Sequence, residues 1–281
     1  MARPRTHAER VASRDGWFPP ESVIRRVGNS PLTPLLGGGP AVLLQVAHPL
    51  VASGVVEHSD YRLDLWKRLL HTLRALYLVA YGTKAEGEAA GAAVRAVHAR
   101  VQGRTTTALG PFPAGTPYSA EDPELMLWVH ATLVDCSLAV YTRFVSRLTD
   151  DEEERYYRDM SLVARIFGTP ANVLPPTLAD FRVWFAETVA DGPIVVTPPA
   201  RDVATEILRA RLPAPMRLIA PAHRLSTAAL LPERLREEYG LSFNSAQAVA
   251  LPLAARSLRY AAAPLFLAAE RIATPGFRIA A

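Results

Sequence analysis

Apolar residues recur along most of the chain at the three- and four-residue spacing of helices, and prolines and glycines separate the apolar segments. The only compact run of β-branched residues is Ile194–Thr197, which has prolines on both sides. We therefore predict an all-α fold in which each helix buries one stripe. Residues 1–281 are expected to form one multi-helix globular domain, with an irregular segment at residues 1–19.

Prolines, glycines and capping residues indicate where the predicted helices begin and end. Pro40 follows three glycines and is predicted to lie in the first turn of a helix that continues through Pro49 with a kink. Gly82 and Gly103 are predicted to end the next two helices. The helices predicted after Pro40–Pro49 are Asp64–Tyr81, Lys84–Gln102, Ser119–Leu148, Asp150–Phe167, Thr177–Ala190, Pro199–Arg211, Pro213–Leu230 and Phe243–Ile272.

The charge is positive overall, with a formal value of +4 at pH 7, but the arginines are spread along the whole chain. Nucleic-acid-binding proteins usually concentrate their charge on one face, so this distribution argues against a nucleic-acid partner. The apolar stretch from Pro40 to Val56 is interrupted by polar residues and is short for a bilayer span. We expect no stable membrane insertion, and a cytoplasmic protein.

Histidines are concentrated in the apolar, helical first half of the chain, which holds five of the seven. Each buried imidazole needs a hydrogen-bond partner or a ligand for its nitrogens. Residues three, four and seven apart share a helix face. This spacing groups Arg68, His71 and Thr72 on one helix, and Arg95, His98 and Gln102 on the next. Two helices joined at Gly82–Thr83 can pack antiparallel, which could place these two faces across a gap.

Several kinds of metal site can be compared with this histidine pattern. A zinc site needs several close ligands, but the chain has one cysteine and no His-Glu-x-x-His motif. A di-iron carboxylate site needs paired Glu-x-x-His motifs, and none occurs. A haem needs one imidazole ligand, an apolar slot and a few polar groups. The residues are compatible with a haem.

Five motifs resemble those of the haem oxygenases that include bacterial latex clearing proteins and the fungal MpaB enzyme. The resemblance covers most of the chain and depends on the order and spacing of the motifs together. The motifs are Gly37–Pro49 (GGGPAVLLQVAHP), Arg68–Thr72 (RLLHT), Arg95–His98 (RAVH), Trp128–His130 (WVH) and Leu231–Arg236 (LPERLR).

The resemblance implies a b-type haem and assigns a role to several residues. His98 matches the axial iron ligand, while Arg68 and Thr72 match polar residues on the opposite, distal side of the haem. His71 stands where the rubber-cleaving branch has a distal lysine. Arg95, His130 and His48 are expected around the cofactor, and Arg26 is a candidate for binding the haem propionates.

The activity implied by the resemblance is oxidative cleavage of a carbon–carbon double bond in an apolar, isoprenoid-like substrate by dioxygen. In this reading Arg68, His71 and Thr72 stabilise charge on the reacting oxygen. Two alternatives stay open. The protein could be a non-catalytic helical module that binds haem or lipid; if His71 and His98 both bind iron, the closed site would favour electron transfer or sensing. The histidines could also be core residues of a haem-independent protein. His7 and His223 are expected at the surface, and His58 in a cap or loop.

Overall fold

The computed structural model describes residues 15–58, 61–208 and 220–258, and of residues 61–69 it describes only the backbone. The described part is mostly helical, with one two-stranded sheet, which confirms the predicted all-α class. Its elements are α1 (Val23–Gly28), α2 (Leu32–Ala47), α3 (Pro49–His58), α4 (Tyr61–Tyr81), α5 (Lys84–His98), β1 (Gln102–Arg104), β2 (Pro117–Ser119), α6 (Pro123–Val140) continued by a π turn (Tyr141–Val145), α7 (Asp150–Ile166), a short 3-10 turn (Ala171–Val173), α8 (Leu178–Asp191), α9 (Pro198–Leu208), α10 (Ala220–Leu230), α11 (Glu233–Glu238) and α12 (245–258).

Helix α2 is the centre of the fold, because it packs against α3, α6, α9 and α10. Side chains from its neighbours bind carbonyls near its C-terminal end, where a helix leaves carbonyls without partners. Trp128 Nε1 donates to the carbonyls of Leu44 and Gln45 at 3.2 and 3.3 Å, and the Tyr239 hydroxyl donates to the Leu43 carbonyl at 2.7 Å. The C-terminal half of α2 is thereby fixed by α6 and by the residue that follows α11.

The predicted helix start at Pro40 is wrong, because α2 begins at Leu32 and Pro40 lies inside it. An internal proline removes the N–H that would bond the carbonyl four residues earlier. Here that carbonyl belongs to Leu36, and the Ser226 hydroxyl of α10 lies 3.0 Å from it. Gly39 allows α10 to approach so closely, since a Cβ there would lie 2.7 Å from His223 Cε1. The proline is therefore tolerated because another helix replaces the missing donor.

The predicted single kinked helix through Pro49 is also wrong. Helix α2 ends at Ala47, α3 begins at Pro49, and their axes differ by 105°. A residue that precedes proline is disfavoured in the helical region, and His48 is extended, with φ −80° and ψ 118°. Pro49 then occupies the first position of α3, where a missing N–H costs nothing.

Helix α5 ends at His98 rather than at the predicted Gln102, because the chain enters a hairpin there. Gln102, Gly103 and Arg104 pair antiparallel with Ser119, Tyr118 and Pro117. Gly103 does not end a helix but admits the Tyr118 ring, since a Cβ at this position would lie 2.5 Å from Tyr118 Oη. The run Ile194–Thr197 forms no strand, and the Val195 N–H donates to the Ala47 carbonyl at 2.8 Å.

The other predicted helices agree with the structure to within a few residues. Capping explains their starts: Thr83 and Thr149 form capping boxes with Glu86 and Glu152, and Asp122 caps α6. The helices α1 and α11 were not predicted. The predictions for residues 1–14 and 209–219 and for residues beyond 258 lie outside the described residues, and the single-domain arrangement stays a prediction.

One described helix, Pro123–Val145, is long and apolar enough to cross a membrane by length and composition alone, and the bent pair α2 and α3 passes the same test together. Most of the apolar window in Pro123–Val145 is buried inside the protein, as in the core helix of a globular fold.

Candidate active site around His98

Helices α4 and α5 form a helical hairpin, and His98 is the last residue of α5. They are joined at Gly82–Thr83 and pack against each other, so residues equally far from this connection lie at the same level. The backbone of Arg68 therefore lies near the level of His98, and that of His71 about one turn closer to the connection. The antiparallel packing predicted from the sequence is confirmed.

His98 is the last residue of α5, and its imidazole is partly buried. Its Nδ1 is inaccessible to solvent and has no hydrogen-bond partner among the described residues. Burial lowers the pKa of His98, and the nearby carboxylate of Glu121 opposes this shift. The ring is consequently neutral near pH 7, and a neutral imidazole keeps one nitrogen lone pair for a metal ion.

His130 is a second buried imidazole with an unused nitrogen. It lies on α6, is 7% exposed, and its Nε2 has no hydrogen-bond partner in the part of the chain that the structure describes. Burial lowers the pKa of His130 to about 4. Like His98, it is a neutral group whose polar atom is not matched by the protein, which is costly unless another group binds it.

His48 has a structural task at the junction of α2 and α3. Its Nδ1 accepts the N–H of Leu50 at 3.3 Å and so caps α3, while its ring packs 5.6 Å from that of Phe112. Burial lowers the pKa of His48 to about 4, and Asp122 partly opposes the shift. Because Nδ1 is already an acceptor, only Nε2 could contact a cofactor.

Of the predicted distal residues, the structure describes the side chains of His71 and Thr72. Both are exposed on α4. The side chain of Arg68 lies outside the described residues.

The two arginines predicted to surround the cofactor lie apart from each other. The Arg95 guanidinium donates to the Ile166 carbonyl at the end of α7, and its aliphatic stem packs beside Gly168. Arg26 is paired with Glu152 at 2.7 Å. The preceding Arg25 is buried and donates from Nε to the Ala80 carbonyl at 2.9 Å, which places α1 at the Gly82 end of the α4–α5 hairpin. His98 lies at the other end.

The sequence placed His223 wrongly and did not single out Tyr118. His223 was expected at the surface, but its Nδ1 lies 2.9 Å from the Leu35 carbonyl and its ring packs on Gly39. The spacing of His223, Ser226 and Thr227 on one face of α10 was the available signal. Tyr118 was missed because a single tyrosine in a short strand has no periodic pattern.

The donor chemistry at His98 fits a haem, which requires one protein imidazole with a free lone pair. Within the described ranges, no group of three or more His, Cys, Asp or Glu side chains is arranged to hold a metal ion. Among the buried polar atoms of the described residues that lack a hydrogen-bond partner, the nitrogens of His98 and His130 are the ones that can bind a metal ion.

Comparison with known proteins identifies the family. Residues 25–263 match the model of the family described as ER-bound oxygenase mpaB/B'/Rubber oxygenase, catalytic domain. The chain belongs to this oxygenase family. Membership confirms the resemblance seen in the motifs and indicates an enzyme of the oxidoreductase class.

Two curated relatives of this mpaB/rubber oxygenase domain are mycobacterial. Uncharacterized proteins of Mycobacterium bovis and Mycobacterium tuberculosis are each 26% identical to it over 211 residues, which is 73% of this chain and 80% of theirs. No solved structure gives a significant match.

Proposed function

We propose that this mpaB/rubber oxygenase family member is a haem-b-dependent oxygenase in which His98 binds the iron. One observation carries the proposal: the imidazole that matches the family's axial ligand is neutral and holds a buried nitrogen without a partner. Its position at the end of α5 leaves the helix backbone undisturbed by ligation. His130 is proposed to line the same pocket.

The bound haem would supply iron for the reaction of dioxygen with a carbon–carbon double bond. The protein's own part is to orient His98 and to offer hydrogen-bond donors where charge builds up. His71 and Thr72 are exposed on α4, and together with Arg68 they are proposed for this task because they match the family motif. Basic side chains on this side of the haem would stabilise the negative charge that develops on the reacting oxygen.

The proposed substrate is a small apolar, isoprenoid-like molecule. Cleavage of one double bond by one dioxygen molecule gives two carbonyl groups, so both oxygen atoms are used and no external reductant is required. The apolar composition of the helices supports an apolar substrate. The cytoplasmic location stays a prediction.

An absorption spectrum of the purified protein, before and after addition of haem, tests the proposal. We expect a Soret band, its loss in His98→Ala, and its retention in His71→Ala, which serves as the matched control from the facing helix. A wild-type protein that takes up no haem would overturn the proposal, and full haem retention by His98→Ala would overturn the ligand assignment. Dioxygen uptake with an unsaturated isoprenoid then tests the activity.

A further inference from the structure

Tyr118 of β2 is joined by hydrogen bonds to two consecutive residues at the end of α3. Its hydroxyl donates to Glu57 Oε2 at 2.5 Å, and His58 Nε2 lies 3.1 Å from the Tyr118 hydroxyl oxygen. A phenol has one hydrogen, which Glu57 accepts, so His58 is the donor in the second bond. Burial and the Glu57 bond raise the pKa of Tyr118, so the phenol stays protonated and remains a donor.

Glycines lie on both sides of the Tyr118 ring, and Gly103 is the one that makes room for its hydroxyl. A Cβ at Gly103 would lie 2.5 Å from Tyr118 Oη, and a Cβ at Gly54 would lie 3.3 Å from Val101 Cγ1. The Tyr118 ring therefore fills the space between α3 and β1. At the other end of α3, the rings of His48 and Phe112 pack 5.6 Å apart. The segment that follows α5 is thus attached along the length of α3.

Tyr118 is linked to His98 by two successive backbone hydrogen bonds. The Val101 N–H donates to the His98 carbonyl at 2.9 Å, and the Ala120 N–H donates to the Val101 carbonyl at 2.8 Å. Ala120 is two residues from Tyr118. A displacement of Tyr118 therefore moves the turn that ends α5, and with it the direction of the His98 imidazole.

We infer that Tyr118, held by Glu57 and His58, is a positioning residue that fixes the angle at which His98 faces the haem iron. This inference rests on the proposed function. The three side chains are not suited to carrying protons into the interior, because Glu57 and His58 are both exposed and the hydrogen-bonded chain begins and ends in solvent. These contacts instead hold β2 against the end of α3, and the accurate placement of a metal ligand depends on such supporting contacts.

Tyr118→Phe, compared with Tyr157→Phe, separates positioning from general stability. Tyr157 is also buried and its hydroxyl donates to the Pro175 carbonyl at 2.5 Å, but it lies on α7 and not in the β1–β2 hairpin. We expect Tyr118→Phe to weaken haem binding about tenfold in a titration of the apoprotein, to alter the Soret and visible bands, and to speed amide exchange at Val101 and Ala120. Tyr157→Phe should leave all three readouts close to those of the wild type.

Glu57 variants give a second route that leaves the core intact, since Glu57 is exposed. Glu57→Ala should reproduce the effects of Tyr118→Phe. Glu57→Gln should largely restore haem binding, because its amide oxygen still accepts the Tyr118 hydrogen bond. The double variant Glu57→Ala/Tyr118→Phe should bind haem no more weakly than Tyr118→Phe alone. A haem affinity and spectrum unchanged in both Tyr118→Phe and Glu57→Ala would overturn the positioning role. If the wild type binds no haem, the proposed function fails. Independently of haem, an unchanged amide exchange rate at Val101 in Tyr118→Phe would overturn the claim that Tyr118 holds the turn at the end of α5.

Discussion

The carbonyl of Leu36 lies 3.0 Å from the hydroxyl of Ser226, and this contact replaces the helical hydrogen bond that Pro40 cannot make. The same hydroxyl lies 2.9 Å from the His223 carbonyl in its own helix, but Thr227 Oγ1 reaches that carbonyl at 2.7 Å. Because Thr227 already donates to the His223 carbonyl, the one hydrogen of the Ser226 hydroxyl can be donated to the Leu36 carbonyl. The centre of the fold therefore depends on one hydroxyl of α10.

Removing this hydroxyl should destabilise the protein. Ser226 and Leu36 are both fully buried, and leaving a buried carbonyl without its donor lowers the stability by about 1–3 kcal/mol. We expect Ser226→Ala to lower the free energy of unfolding in urea by that amount. Ser257→Ala removes an exposed hydroxyl that bonds within its own helix and should change the stability by less than about 0.5 kcal/mol.

The Pro40→Ala background tests the explanation itself. Alanine restores the missing N–H, so Leu36 regains a helical donor. The cost of Ser226→Ala should then be smaller than in the wild type. Equal costs in the two backgrounds would show that Ser226 does not compensate for the proline.

Neighbouring glycines of α2 should respond in opposite ways to alanine. A Cβ at Gly39 would lie against Thr227 Oγ1 and 2.7 Å from His223 Cε1, so α10 would have to move. We expect Gly39→Ala to destabilise the protein by about 1–3 kcal/mol in urea unfolding. At Gly37 the nearest atom would be the Cys136 carbonyl oxygen at 3.4 Å, and the better helix propensity of alanine should make Gly37→Ala neutral or stabilising. Similar losses for both variants would contradict the role of Gly39 as a contact site.

Sequence signals sufficed where a helix end depends on nearby residues. Thr177 and Gly82 were recognised at or beside helix ends, and the structure places helix ends there. The start predicted at Ser119 is four residues early, because Asp122 caps α6, which begins at Pro123. Pro40 was misread because its compensating donor lies 190 residues from the carbonyl it serves. A local rule for proline cannot include a partner from a distant helix.

The candidate site divides in the same way. Helical spacing correctly placed His71 and His98 on two packed helices. It could not give the direction of the Arg95 side chain, because the guanidinium donates to the Ile166 carbonyl, 71 residues away. Nor could it show that His223 packs against α2, because that contact depends on Gly39. The attachment through Tyr118 joins α3 to a hairpin, and no periodic pattern in the sequence reports such a contact.

Acid should destabilise the protein partly through His48. Its pKa is about 4 when folded and about 6.5 when unfolded, so the unfolded state binds more protons between these values. The stabilisation is present above pH 6.5 and is lost as the pH falls towards 4, with a loss of about 2 kcal/mol at pH 5. His48→Asn keeps a capping acceptor without this titration. The variant should resemble the wild type at pH 7 and lose about 2 kcal/mol less between pH 7 and pH 5 in urea unfolding; an equal loss would contradict the assignment.

Arg26 should have no direct role in binding haem, although the sequence suggested one. It pairs with Glu152 beside α1, at the end of the α4–α5 hairpin that holds Gly82, whereas His98 ends the 15-residue α5. At a rise of 1.5 Å per residue, α5 alone separates the two ends by about 22 Å. We expect Arg26→Ala to change the haem dissociation constant by less than about twofold, and to cost less than about 1 kcal/mol of stability, as is usual for exposed ion pairs. His98→Ala, titrated in parallel, should lose stable haem binding. A tenfold weaker affinity in Arg26→Ala, with the free energy of unfolding unchanged, would instead place a haem propionate at the α1 end of the hairpin.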